Sequence, residues 1–293
     1  MVLLVGGTGQ LGGRIARELL SRGVKVRALC RSGSGFGALK RMGAEIAIGD
    51  LRDSASLSAA CAGADMVITT ANSVRRGGDD SVAAVDVAGT RALIDAASEA
   101  NVDRFIYTSV WGADGESPVP FIRAKAGNEE HLKASGLGWT ILAPNAFMES
   151  WPGTVVGAPA VAGREVVIVG EGRRHPAFIA EHDVAQVATA AVLNETARNR
   201  HLPLGGPAAH SWLDVVKAYE EALGHPIAVR HVAPGEQVDG IPDVLLSLLA
   251  GYDAFDSAFD TSALAAEFGV QQTPLAAWVR ASIATLRSRG PRV

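Results

Sequence analysis

Across the first 143 residues, short apolar-rich runs alternate with stretches in which apolar residues recur every three or four positions. The runs at 2–6, 24–29, 44–48, 66–70, 104–109 and 140–143 predict strands. The spaced stretches at 11–22, 36–42, 54–61, 82–100 and 122–135 predict helices, the first carried by Leu11, Ile15, Leu19 and Leu20. Strands and helices in strict alternation predict an α/β fold, a doubly wound parallel sheet covered on both faces and joined by right-handed crossovers. After Pro144 the rhythm loosens. A Pro- and Gly-rich connection is expected over 151–164, then a strand at 166–169 and helices at 183–193, 211–223, 242–251, 261–268 and 275–287. Asp183 and Ser211 suit the N-caps of two of these helices. The pattern divides the chain into a sheet domain, 1–150, and a smaller C-terminal α+β lobe, 151–293, packed on it as one compact body.

Composition narrows the class. The chain has 293 residues and a net charge of −4, without the basic stripe that a nucleic-acid surface needs. The apolar residues after Met1 follow no basic segment and run directly into glycines, so they do not read as a signal peptide. No apolar run approaches the ~20 residues of a membrane span. Two cysteines, Cys30 and Cys61, fit reduced thiols, and the seven histidines form no HxxxH pair, so no metal site is expected. A cytoplasmic protein is expected, monomer or homodimer, with no nucleic-acid or membrane partner.

The chemistry is carried by the turn after the first strand. Gly7, Gly9 and Gly12 fit GxGxxG, and Gly6, Gly9 and Gly12 also fit GxxGxxG. A glycine turn between a strand and an amphipathic helix lets a pyrophosphate approach bare backbone and rest on helix N–H groups, the arrangement of a Rossmann domain. Gly6, Thr8, Gly9, Gln10, Leu11 and Gly12 are therefore expected to contact a dinucleotide. The second strand ends Cys30-Arg31-Ser32, where an NAD site would place an acid to hold the ribose. A guanidinium and a hydroxyl there favour a 2′-phosphate, hence NADP(H). The plain alternative is that Arg31 is a solvated loop residue.

Further segments extend the match: Gly49-Asp50-Leu51, Tyr107-Thr108-Ser109, Lys125, Ser135-Gly136-Leu137, the run from Trp139 to Glu149, and Phe268-Gly269-Val270 followed by Pro274 and Trp278. Together with the glycine turn, the chain resembles an atypical short-chain dehydrogenase/reductase of the NmrA-like group, which includes quinone and triphenylmethane-dye reductases. The resemblance implies that Asp50 and Leu51 lie near the adenine, that Thr70, Ala71 and Asn72 line the cofactor, and that Pro144 and Asn145 flank the nicotinamide. It also implies that Phe147 and Trp151 face a small-molecule substrate.

One departure matters. The wider superfamily uses Tyr-x-x-x-Lys on one helix, with the tyrosine protonating a carbonyl during hydride transfer. Four residues before Lys125 stands Phe121, which has no proton to give. Hydride delivery to a quinone, enone or dye, which delocalises the incoming charge, remains open, with Lys125 holding ribose hydroxyls. Ser109 could orient a substrate oxygen or be an ordinary strand-end serine. Tyr107 shares its strand parity and is a candidate displaced acid, although aromatic strand residues usually pack in the core. Trp111, Phe121 and His175 complete the expected substrate pocket, and His182-Asp183 reads as a cap. Two functions follow: an NADPH-dependent reductase of a conjugated, electron-poor molecule, or a non-catalytic NADP-binding redox sensor acting through a protein partner.

Overall fold

The computed structural model describes residues 1–74, 78–238, 241 and 243–289. The first part of the chain runs β1 (Val2–Val5), α1 (Gln10–Ser21), β2 (Val26–Cys30), α2 (Gly37–Arg41), β3 (Glu45–Ile48), α3 (Ser54–Cys61), β4 (Met66–Thr69), α4 (Thr90–Glu99), β5 (Arg104–Thr108), α5 (Pro120–Ala134) and β6 (Gly138–Pro144). It continues with α6 (Ala158–Val161), β7 (Val166–Val169), α7 (Glu181–Leu193), β8 (Arg200–Leu204), α8 (Trp212–Leu223), β9 (Val229–Val232), α9 (Asp243–Ala254), α10 (Ser262–Glu267) and α11 (Leu275–Arg289). The helix expected at 242–251 begins at Asp243, and Pro242 lies outside the described residues.

The large sheet has seven strands in the order β3-β2-β1-β4-β5-β6-β8. β1 pairs in parallel with both β2 and β4, and the chain order reverses between β1 and β4. Ligands of open α/β sheets bind at such a switch point, beyond the strands' carboxyl ends. Val5 is in register with Thr69, so the glycine turn and residues 70–72 leave the sheet side by side. One face of the sheet buries Leu3, Val67, Phe105, Tyr107 and Ile141 against Leu57, Leu93 and Ile94, which come from α3 and α4.

By spatial grouping the chain forms two units. The first holds Met1–Pro144, Val184–Pro203 and Phe268–Val270, and the second holds Asn145–Asp183, Leu204–Glu267 and Gln271–Val293. The second unit has its own core, in which Met148, Val156, Ile168, Phe178, Trp212, Val215 and Tyr219 are buried. β7 and β9 make a two-stranded parallel ladder there, Val166 opposite Val229 through Val169 opposite Val232. α8 starts with a complete capping box: Ser211 Oγ accepts from the Asp214 N–H at 3.1 Å, and the Ser211 N–H donates to Asp214 Oδ2 at 2.8 Å.

Four sequence expectations are corrected. The single helix expected over 82–100 is wide-turned (π) at Val82–Gly89 and becomes α-helical only at Thr90. The Asp86 carbonyl accepts from Asn128 Nδ2 at 2.6 Å, an outside donor of the kind that widens a helical ladder. The connection expected over 151–164 contains another wide turn, Pro152–Gly157, leading into α6. Its small residues allow close packing, since a Cβ on Gly157 would stand 2.2 Å from the Tyr219 hydroxyl. Asp183 is no N-cap: α7 begins at Glu181, and the Asp183 carboxylate accepts the N–H and hydroxyl of Thr273, both at 2.7 Å. β8 and β9 were not expected at all.

Candidate functional site

The glycine turn divides its labour. Gly6 has φ +89°, and a Cβ there would lie 2.6 Å from Thr70 Oγ1 and 2.9 Å from the Ala71 nitrogen. A Cβ on Gly12 would stand 2.3 Å from the Gly6 carbonyl oxygen. These two positions need glycine so that α1 and the end of β4 can close on the turn. Gly9 differs, because its Cβ would meet only the Gly6 oxygen, at 3.2 Å, and would project from an exposed position. Gly9 also caps α1 with no side chain to bond the first-turn N–H groups, and that turn carries no acid. The side of the turn that Gly9 leaves open therefore suits an anion. Thr8 and Gln10 are exposed beside it, while Leu11 and Gly12 are buried and offer only backbone. Thr70 and Ala71 are half-buried and Asn72 is exposed along the neighbouring strand end. The residues present fit a dinucleotide.

At the outer end of this cradle lies a cluster of arginines and acids. Arg31 Nη1 donates to Asp80 Oδ2 at 2.7 Å, and Arg52 Nη1 lies 3.6 Å from Asp80 Oδ1. Arg52 also grips Asp50 through Nε at 3.0 Å and Nη2 at 2.8 Å, and these bonds hold the Asp50 carboxyl below the usual carboxylate range. Ser32 is exposed nearby in sequence, and Leu51 is buried, in line with a Gly89 Cβ that would reach its own Cβ at 2.9 Å. Neither Arg52 nor Asp80 belongs to a recognisable sequence motif; each marks itself only as charge in a loop that follows a strand.

α5 brings Phe121, Lys125, Asn128, Glu129 and Leu132 to one buried face at helical spacing. Lys125 is 4% exposed and donates from Nζ to the Thr108 carbonyl at 2.8 Å. The same ammonium lies 4.8 Å from the centroid of the Tyr107 ring and 5.2 Å from that of Phe121. Burial lowers its pKa to about 8, against the opposing pull of Asp86 and Glu129. Asn128 Nδ2 also donates to the Tyr107 hydroxyl at 3.0 Å, and Asp86 Oδ2 accepts from the Ser73 backbone at 3.1 Å and from the Ser73 hydroxyl. Among the described residues, Asp86 Oδ1, Asn128 Oδ1 and Thr108 Oγ1 are buried without a hydrogen-bond partner.

The two hydroxyls weighed from the sequence are both withdrawn into this network. Ser109, 2% exposed, donates to Glu129 Oε1, so the plain strand-end reading describes it better than substrate orientation does. Glu129 also lies 3.4 Å from His201 Nε2. Burial alone would raise the Glu129 pKa, but hydrogen bonds from His201 and Ser109 and the nearby charges leave it below the ordinary value. Tyr107 is fully buried, and burial pushes its phenol up, away from the range of a useful acid near neutral pH. The Pro144 carbonyl accepts the N–H of half-buried Trp111 at 2.9 Å.

In the second unit, Asn145 is a staple. Its Nδ2 donates to the carbonyl and hydroxyl of Ser257, at 3.0 and 3.1 Å, and its Oδ1 accepts the next N–H, that of Ala146. Phe147 is half-buried and bridged to Ile179. Trp151 packs edge-to-face on Tyr252, with centroids 5.1 Å apart. His175 is an exposed residue whose N–H donates to Asp256 at 2.8 Å, with ring nitrogens 3.7 Å from Asp256 and 3.9 Å from Asp214. Among the described residues, no group of three His, Cys, Asp or Glu could hold a metal, and no helix is long and apolar enough to cross a membrane. Both cysteines are free and buried.

Residues 6–195 match the family described as NAD(P)H-binding. An NAD(P)H azoreductase from Xenophilus azovorans is 33% identical over 235 residues, 80% of this chain and 77% of that protein. The Photosystem II assembly factor Ycf39 of Cyanophora paradoxa is 32% identical over 231 residues, 79% of this chain and 71% of that protein. Among solved structures, an NADPH-dependent quinone oxidoreductase from Escherichia coli, complexed with NADPH, superposes with a TM-score of 0.81 at 22% identity. That superposition covers 98% of this chain and all (100%) of the other. The atypical, NmrA-like resemblance and the Rossmann-type fold expected from the sequence both stand.

Proposed function

This chain belongs to the NAD(P)H-binding family as a reductase of the atypical short-chain type, and on that premise we propose that it reduces a conjugated, electron-poor small molecule with NADPH. The observation that carries the substrate class is Phe121 beside Lys125: a phenyl ring stands where carbonyl chemistry would need a hydroxyl. When bound, the reduced nicotinamide supplies a hydride. Gly6, Thr8, Gly9, Gln10 and the α1 backbone would hold the pyrophosphate, with Thr70, Ala71 and Asn72 alongside. Arg31 and Ser32 would bind the 2′-phosphate. Lys125, fixed on the Thr108 carbonyl, would hold ribose hydroxyls. Quinones, enones and azo or cationic dyes spread the charge that arrives with the hydride, so they can take their proton from water.

The test is consumption of NADPH by the purified protein, followed at the reduced-nicotinamide absorbance. Turnover is expected with quinones, azo dyes or triphenylmethane dyes and not with simple aldehydes or ketones. The reverse preference would refute the reading. A second reading, an NADP-binding sensor acting through a protein partner, draws support from the relatives named as assembly factors. It predicts cofactor binding with no turnover on any acceptor.

A further inference from the structure

We propose that Arg31 and Arg52 together form the site of the 2′-phosphate, and that Asp80 is an internal carboxylate which occupies this site and is displaced by it. This inference rests on the reading that NADPH places its 2′-phosphate at Arg31. It adds a second cation and a built-in competitor.

Both guanidiniums use the same atom, Nη1, to reach one carboxylate: Arg31 at 2.7 Å to Oδ2 and Arg52 at 3.6 Å to Oδ1. A carboxylate between two guanidiniums presents the paired oxygens that a phosphate would present to the same donors. Asp50 takes the remaining edge of Arg52 through Nε and Nη2, which aims Nη1 at Asp80. Asp50 is thus a positioning residue. The arginine side chains remain accessible, Arg31 at 40% and Arg52 at 38% exposure, whereas Asp80 at 15% lies further in. An incoming phosphate can therefore reach the pair from solvent. Its charge, about −1.5 to −2 near neutral pH, exceeds that of the carboxylate it replaces. In its absence Asp80 offsets the repulsion between the two cations. The carboxylate thereby weakens NADPH binding relative to an uncontested arginine pair, and Asp80 sets how strongly the protein prefers NADPH to NADH.

Adenosine 2′,5′-bisphosphate and AMP differ only in the 2′-phosphate, and calorimetric titration of the full chain with each isolates this site. Asp80→Asn should bind the bisphosphate about tenfold more tightly than wild type, roughly 1.4 kcal/mol, while affinity for AMP stays unchanged. Asp80→Ser, shorter and also neutral, should show the same gain, which guards against a folding artefact in either variant. Arg52→Ala should weaken the bisphosphate several-fold and leave AMP alone. Unchanged or weaker bisphosphate binding in both Asp80 variants, or an Arg52→Ala variant that binds like wild type, overturns the proposal. Arg31→Ala separates the layers. If it too binds the bisphosphate like wild type, the underlying assignment of the 2′-phosphate fails; if it alone weakens binding, only the role of Asp80 and Arg52 fails.

Discussion

At the scale of single residues, two glycines of one turn should respond oppositely to the same substitution. Gly9→Val is expected to abolish NADPH binding with little change in melting temperature, because its side chain would enter open space that the pyrophosphate needs. Gly12→Val is expected to destabilise the fold by at least about 1–3 kcal/mol, since its Cβ would collide with the Gly6 carbonyl. Calorimetric titration and thermal melts on both variants check this pair. Arg31→Ala should weaken NADPH roughly tenfold to a hundredfold and barely alter NADH. Lys125 carries a pH signature. Its pKa of about 8 lies below the ordinary lysine value of 10.5, so between these values the unfolded chain binds more protons than the folded one. Stability contributed at this position is lowest below pH 8 and recovers as pH rises from about 8 to 10.5. The unfolding free energy of wild type relative to Lys125→Met should rise across that window, by up to about 3 kcal/mol, and a flat difference would remove the assignment. The glycines and Arg31 stand out in the sequence by their spacing after the first two strands, and Lys125 by the family resemblance. The burial of Lys125 does not, because partners such as the Thr108 carbonyl come from another element.

At the scale of elements, α5 and the wide turn before α4 form one polar seam inside an otherwise apolar layer. Helical spacing alone would have shown Asn128 and Glu129 on the Lys125 face, and Asp86 interrupts the apolar run Val82–Gly89, but their pairing across elements is a tertiary fact. Phe121→Tyr on this helix should not speed the natural reaction appreciably. A positioned acid is typically worth 10²–10⁴-fold where the transition state uses one, so steady-state rates will decide clearly. A hundredfold gain on a carbonyl substrate would mean that the chain descends from, and still approximates, an ordinary carbonyl reductase. Ser211→Ala should cost the second unit about 1 kcal/mol through loss of the capping box, measured by denaturant unfolding. That cap was readable because Ser211 stands directly before the helical pattern; its Asp214 partner came from the structure. The strands Arg200–Leu204 and Val229–Val232 were not readable. They are short, each carries arginine and histidine, and one contains a proline, so their pairing rather than their composition makes them strands. Asp183 looked like a cap for the same reason in reverse: its true partner, Thr273, is 90 residues away.

At the scale of the whole molecule, the alternation of strands and helices carried the doubly wound sheet, since buried parallel strands and amphipathic helices leave distinct patterns, whereas the strand order and its switch point appear only in the pairing. The grouping in space did not follow from that pattern. Val184–Pro203 and Phe268–Val270 join the first unit although they lie beyond residue 150, and nothing local marks them. The central claim concerns the molecule entire: bound NADPH gives its hydride to a conjugated acceptor without a tyrosine acid. The most direct measurement is single-turnover oxidation of NADPH carrying deuterium at the transferring C4 position, with the fastest quinone or dye as acceptor. The account predicts that NADPH is consumed, that deuterium slows its consumption, and that Phe121→Tyr proceeds at a similar rate. NADPH that binds and is left unoxidised by every quinone and dye would contradict it.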